Sequence, residues 1–300
     1  MQIAEQSTPS QTLSELEQAA QEHIRTQRKK TSAAYRAARK ARVEECIDIH
    51  YAAIEAEKSR LEAKGKPNPN YQIGFTKRRV LRDKENPRVV ELPTEFAMIL
   101  KACEEFIDNP RRFPELYTWV PEMNNRQARE LVARVLACLL VNTDIISGRV
   151  GEPSPQGMKP LSYHQFHEDH ALRFGKYIAP KSFNKAIGYL KRAGYYNSES
   201  INIPIGDVEG TVRGAPAYKQ FSEVFFNDLK VVRYKNIAES IIETRKRQIK
   251  NGLRHAWISF RDMANGVVQR YLNANKFELV AESNVRVFEA YSPQVLLNPD

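Results

Sequence analysis

Cysteine is scarce in this chain: three in 300 residues, Cys46, Cys103 and Cys138, far apart and in no C-x-x-C spacing. That excludes a zinc knuckle and a disulfide framework, and an odd, low count suits a reducing compartment. Long apolar runs are missing too. No stretch approaches the roughly 20 apolar residues that cross a bilayer. The start, MQIAEQSTPS, has neither the charged lead nor the apolar centre of a secretion signal. A cytoplasmic protein with no membrane partner is expected. The phosphate-cradling glycine patterns G-x-x-x-x-G-K-[ST] and G-x-G-x-x-G are absent, as are G-x-S-x-G and H-E-x-x-H. No ATP use, cofactor or metal is expected on those grounds.

What is plentiful is positive charge. The formal net charge is +10 and the pI near 9.4, which makes a polyanion, nucleic acid before membrane, the first partner to consider. With 42% hydrophobic residues the chain can fill a core, and its length suggests about two domains.

The densest run of signals lies between Lys159 and Leu229. Ser162 and Gln165 form a capping-box pair that opens a helix, and Gly175 turns the chain. From Pro180 to Ala193, Phe183, Ala186, Ile187 and Leu190 recur at i, i+3, i+4 and i+7, which sets them on one buried face. The opposite face carries Lys181, Ser182, Asn184, Lys185, Tyr189, Lys191 and Arg192, types that bond phosphates and base edges. Gly194 stops this helix. An extended run, Tyr195 to Ile205, follows. A Gly-rich loop, Gly206 to Gly214, holds Arg213, and a second extended run covers Ala215 to Phe226. With a helix over 125–141 in front, the order is that of a winged helix. Lys176, before the basic helix, and Arg213, at the wing tip, are candidates for phosphate or minor-groove contact.

Other basic segments flank this unit. A helical pattern runs from Thr12 to about Lys64. Between Arg25 and Arg42 it has eight Lys or Arg, including Arg36, Arg39 and Lys40, and no acid. Like charges at that spacing repel, so the segment suits phosphates; the alternative is a solvated face. Val43, Ile47, Tyr51 and Ile54 form an apolar stripe that docks. GKPNPN at 65–70 is a linker. Lys77, Arg78, Arg79, Arg82, Lys84 and Arg88 form a patch without periodicity. Pro93 and Thr94 open an amphipathic helix that Asn109-Pro110 ends. The Pro- and Gly-rich segment 147–160 reads as a long loop. Beyond Leu229 come a basic helix, Tyr234 to Gly252, with Arg245 and Arg247, then a helix from His255 to Asn273 and a short hairpin within 277–291.

The expected fold is therefore mainly α with a small β component: a winged helix-turn-helix core flanked by long basic helices. Its parts are a basic N-terminal helical extension (1–66), a linker with an amphipathic helix packed on the core (67–124), the winged helix (125–229) and a basic helical region (230–300). His164, His167 and His170, three apart, are the one metal-ligand candidate. Their arc of about 120° on a helix fits a half-buried or phosphate-facing role better.

LSYHQF…APKSFNKAIGYLKRAGYY and GTVRGAPAYKQFSEVFFNDL resemble the winged-helix region of plasmid replication initiators of the RepA type, the IncFII and IncL/M group. The matching positions are Ser182, Lys185, Ala186, Ile187, Leu190, Gly194 and Tyr195, then Phe221, Ser222, Phe225 and Phe226. The long basic helix before Lys64 and the loop at 148–160 depart from that pattern. The resemblance implies binding to double-stranded DNA at a plasmid origin, opening of the duplex and recruitment of host replication proteins, an initiator and a helicase, by a monomer or dimer without catalysis of its own. Pattern and charge alone imply DNA binding. Two other readings stand beside it: a winged-helix transcriptional repressor, and a nicking enzyme using a Tyr and a metal held by the three histidines.

Overall fold

The computed structural model describes residues 9–204 and 212–265. Helix accounts for 60% and strand for 13%, so the molecule is mainly α with small sheets. The helices are α1 (Pro9–Ala63), α2 (Glu95–Asp108), α3 (Pro114–Trp119), α4 (Arg126–Leu140), α5 (Tyr163–Phe174), α6 (Pro180–Arg192), α7 (Glu223–Leu229) and α8 (Lys235–Lys250). Among the described residues three antiparallel pairs join them: β1 (Arg78–Val80) with β2 (Val89–Glu91), β3 (Gly151–Glu152) with β4 (Lys159–Pro160), and β5 (Tyr196–Pro204) with β6 (Val212–Phe221).

The centre is α4. Asn125 caps it, its side chain accepting from the Gln127 N–H at 2.8 Å. From Val132 to Leu140, eight side chains vanish from solvent, all but Arg134. Around α4 pack α2 (Ile99, Leu100, Cys103, Phe106), Leu116 of α3, Phe166 of α5, Phe183 and Leu190 of α6, Tyr195, Tyr196, Phe221 and Phe225. Each large side chain so buried stabilises the fold by about 1.5–3 kcal/mol. A second, smaller cluster joins Val43, Cys46, Ile49, Ala53 and Ile54 of α1 to Ile73, Val80, Ala171 and Leu172. Thus α1 docks by the stripe from Val43 onward, while residues 32–42 are exposed throughout.

Four expectations need correction. The patch at 77–91 is a β-hairpin, with Arg79 opposite Val90. β6 ends at Phe221, and Ser222 then caps α7 by accepting from the Phe225 N–H at 3.3 Å, so the extended run to Phe226 is cut short. The segment 147–160 is not a plain loop. It pairs backbone to backbone with its surroundings: Thr143 with Val150, Arg149 with Gln220, Ser154 with Arg254, and Met158 with Trp257. That pairing holds His255 to Ile258 out of the helix expected from His255; helix begins only at Phe260. The hairpin expected within 277–291 lies outside the described residues.

Candidate nucleic-acid interface

The geometry of α6 begins with its anchors. Pro180 occupies its first turn, and Gly194 (φ +68°) follows its end. Phe183, Ala186, Ile187 and Leu190 face the core as the spacing requires. Lys181, Asn184, Lys185, Lys191 and Arg192 face solvent, and Ser182 is half-buried. Tyr189 corrects the outward face: it is 3% exposed, and its hydroxyl has no hydrogen-bond partner. It sits on the flank of the helix, about 80° round from Lys181, where a long ring reaches the core. Lys185 and Arg192 lie 5.6 and 5.8 Å from its ring centroid and screen it from water. Arg192 also pairs with Glu122 at 3.4 Å. Among the described residues Lys181, Lys185 and Lys191 have no carboxylate partner, so their charge is available to an external anion.

The turn between α5 and α6 is held from two sides. Ser162 and Gln165 form the capping box of α5, and Gly175 (φ +61°) ends the helix. His170, 2% exposed, has its Nδ1 3.0 Å from the Lys176 carbonyl, so that nitrogen carries the proton and donates. Lys176 itself is exposed. From the other side, Tyr51 of α1 donates its hydroxyl to the Gly175 carbonyl at 3.3 Å. A Cβ on Gly175 would lie 2.6 Å from the His50 ring. α1 therefore grips the turn that aims α6. Sequence reasoning singled out neither His50 nor this use of Tyr51, because their partners lie more than 120 residues away.

The remaining basic residues divide into free and committed. On α1, Arg36, Arg39 and Lys40 are exposed; Lys40 approaches Glu44 at 3.5 Å, an ordinary surface pair. Arg39 and Arg42 lie close enough to α5 to add to the partial desolvation that pulls His164 below the ordinary histidine range. The hairpin patch is largely committed inside the molecule. Arg78 stacks 4.3 Å over the Tyr71 ring and donates to the Gln72 carbonyl. Arg79 donates to Asn142 at 3.3 Å and pairs with Asp169 at 3.6 Å. Arg82 pairs with Glu168, and Lys77 with Glu91. Arg245 of α8 pairs with the buried Asp144 at 2.6 Å, whereas Arg247 is exposed. Arg78, Arg79 and Arg245 thus have partners within the fold. Arg213 is not on a loop: it lies in β6, where its backbone pairs with Ile203 of β5.

The histidines fall short of a metal site. His167 and His170 are buried, at 7% and 2%, while His164 is exposed. Among the described residues no three His, Cys, Asp or Glu come together as ligands. Burial holds His167 and His170 below the usual range, His170 at about 4. Nor is any described helix long and apolar enough to cross a membrane. Compared with known proteins, the chain matches no family model, no curated protein and no solved structure.

Proposed function

We propose that residues 125–229 form a winged-helix DNA-binding unit and that the protein is a replication initiator binding the origin of the replicon that encodes it. One observation carries the reading: α6 has one face buried in the core and the other lined by Asn184 and three lysines, Lys181, Lys185 and Lys191, none of which forms an ion pair with a described carboxylate. A helix so anchored and so charged suits the major groove, where Asn reads adenine and Lys reads guanine or holds phosphate. The hairpin β5–β6 follows directly, in the place of a wing.

The exposed run 32–42 of α1 supplies a second basic surface. It leaves the body beside α5 and extends the contact beyond one half-site, as an origin tract requires. The activity assigned here is binding without chemistry: released counterions drive association, and the interactions that a bent duplex permits offset its distortion. Host replication proteins would join the assembled complex. DNase footprinting of the purified protein on its own locus tests this. A long protected tract in an AT-rich origin with melting beside it supports the initiator. A short palindrome over a promoter without melting favours the repressor, and no footprint overturns both.

A further inference from the structure

Among the glycines whose surroundings are described, Gly188 is the one that the fold itself does not require. The others divide into two groups. Gly65, Gly74, Gly194 and Gly252 adopt positive φ. At Gly148, Gly151, Gly157 and Gly175 an added Cβ would come within 2.5–3.0 Å of neighbouring atoms. Gly188 belongs to neither. It is exposed in the body of a 13-residue helix, its φ is not positive, and among the described residues a Cβ there would meet nothing within 4 Å. Glycine in a helix interior weakens the helix, because it leaves the unfolded chain freer and covers no backbone. α6 therefore carries a destabilising residue that no described neighbour compensates.

Its position on the helix is equally specific. Successive residues step by about 100°, so Gly188 lies one turn from Asn184 and Lys185 on one side and one turn from Lys191 and Arg192 on the other. It is the midpoint of the cationic face, a bare spot ringed by donors. A bare spot lets a partner's surface reach the helix backbone while the surrounding side chains clasp it. We infer that Gly188 is the point of closest approach between α6 and the floor of the DNA major groove, where a side chain would hold the helix off the base edges. This inference rests on the DNA-binding reading of α6.

The test uses the full-length protein and a duplex that the protein itself enriches from a pool with a randomised central tract. Binding of that duplex and thermal unfolding are measured for the parent, Gly188→Ala, Gly188→Leu and Lys185→Ala. The expected result is a higher Tm for Gly188→Ala together with binding weakened about tenfold, the scale of one mismatched base pair, and a larger loss for Gly188→Leu. If Gly188→Ala binds the enriched duplex as tightly as the parent, or if its Tm falls, the close-approach role is wrong. Should Lys185→Ala still weaken binding in that case, the DNA reading survives alone. If the parent enriches no duplex, the DNA reading itself fails and the role of Gly188 falls with it.

Discussion

The Nδ1 of His50 donates to the carbonyl oxygen of Leu172 at 2.8 Å across 122 residues of sequence. A helix leaves its last four carbonyls without internal partners. In α5 two of these are met from distant parts of the chain: His50 supplies Leu172 and the Gly74 N–H supplies Arg173 at 3.1 Å, while the capping Gly175 N–H supplies Ala171. The bond is buried, so its loss would strand the Leu172 carbonyl. His50→Ala should lower the unfolding free energy by about 1–3 kcal/mol, measured by urea titration. An unchanged midpoint would mean that water replaces the histidine without cost.

Acid sensitivity follows from His170. Burial beside the cations Arg134 and Lys176 keeps its imidazole neutral down to about 4, against an ordinary value of 6.5. As pH falls from 6.5, the unfolded chain takes up a proton that the folded one refuses. Stability is therefore lost between pH 6.5 and about 4, and the loss levels off below. In His170→Gln this part of the slope disappears. The difference between parent and variant should change by about 1–3 kcal/mol across that window. Parallel pH profiles would contradict it.

Tyr189 separates two roles that its position in the sequence merges. Its ring is core and its hydroxyl is buried without a partner. Tyr189→Phe should be neutral or stabilising by up to about 1 kcal/mol, since a stranded polar group is removed. Tyr189→Ala should cost about 3–5 kcal/mol. Thermal unfolding of the pair decides the point; a tyrosine that served only DNA would give two stable variants.

Two basic residues should behave in opposite ways. Lys185→Ala removes a surface charge from the outer face of α6 and should weaken DNA binding with Tm unchanged. Arg79→Ala deprives Asp169, already pushed above the ordinary carboxylate range by burial, of a compensating cation. It should lower Tm and leave the affinity of the folded protein intact. Loss of affinity in Arg79→Ala at a temperature where it is fully folded would reassign the hairpin to the interface.

The salt dependence of binding tests α1. Its docked portion begins at Val43, so the cut that spares the fold removes residues 1–42. That deletion should flatten the plot of log K against log salt by about 0.9 for each phosphate the arm neutralises. An unchanged slope would show that the arm faces solvent in the complex.

Much of this was legible in local pattern. The capping box of α5, the core face of α6 and most of the docking stripe of α1 follow from spacing, because helix faces are set by neighbours three and four residues away. In that stripe Val43, Ile47 and Ile54 pack, whereas Tyr51 is 54% exposed. The failures share the opposite cause. Trp257 reads as a helical residue, yet its backbone pairs with Met158 and its ring lies 5.0 Å from Tyr218. Arg79 and Arg245 read as free cations, because nothing nearby in sequence announces Asp169 or Asp144 as their partners. Lys219 is the extreme case. It is 1% exposed and set 4.9 Å from the Tyr163 ring centroid, and it donates to the Leu161 and Ala217 carbonyls. Burial lowers it to about 8. No periodicity distinguishes such a lysine from a surface one.

The placement of two of the three thiols turns the protein into its own opening sensor. Cys46 lies in the seam between α1 and α5, and Cys103 in the core around α4. Burial pushes both thiols up, to about 11 and about 12. Neither can react with an alkylating reagent until water reaches it. The labelling rate at Cys46 therefore clocks how often α1 lifts away, and that at Cys103 how often the whole core comes apart. A ligand that clamps α1 in place would slow the first clock and leave the second to global stability.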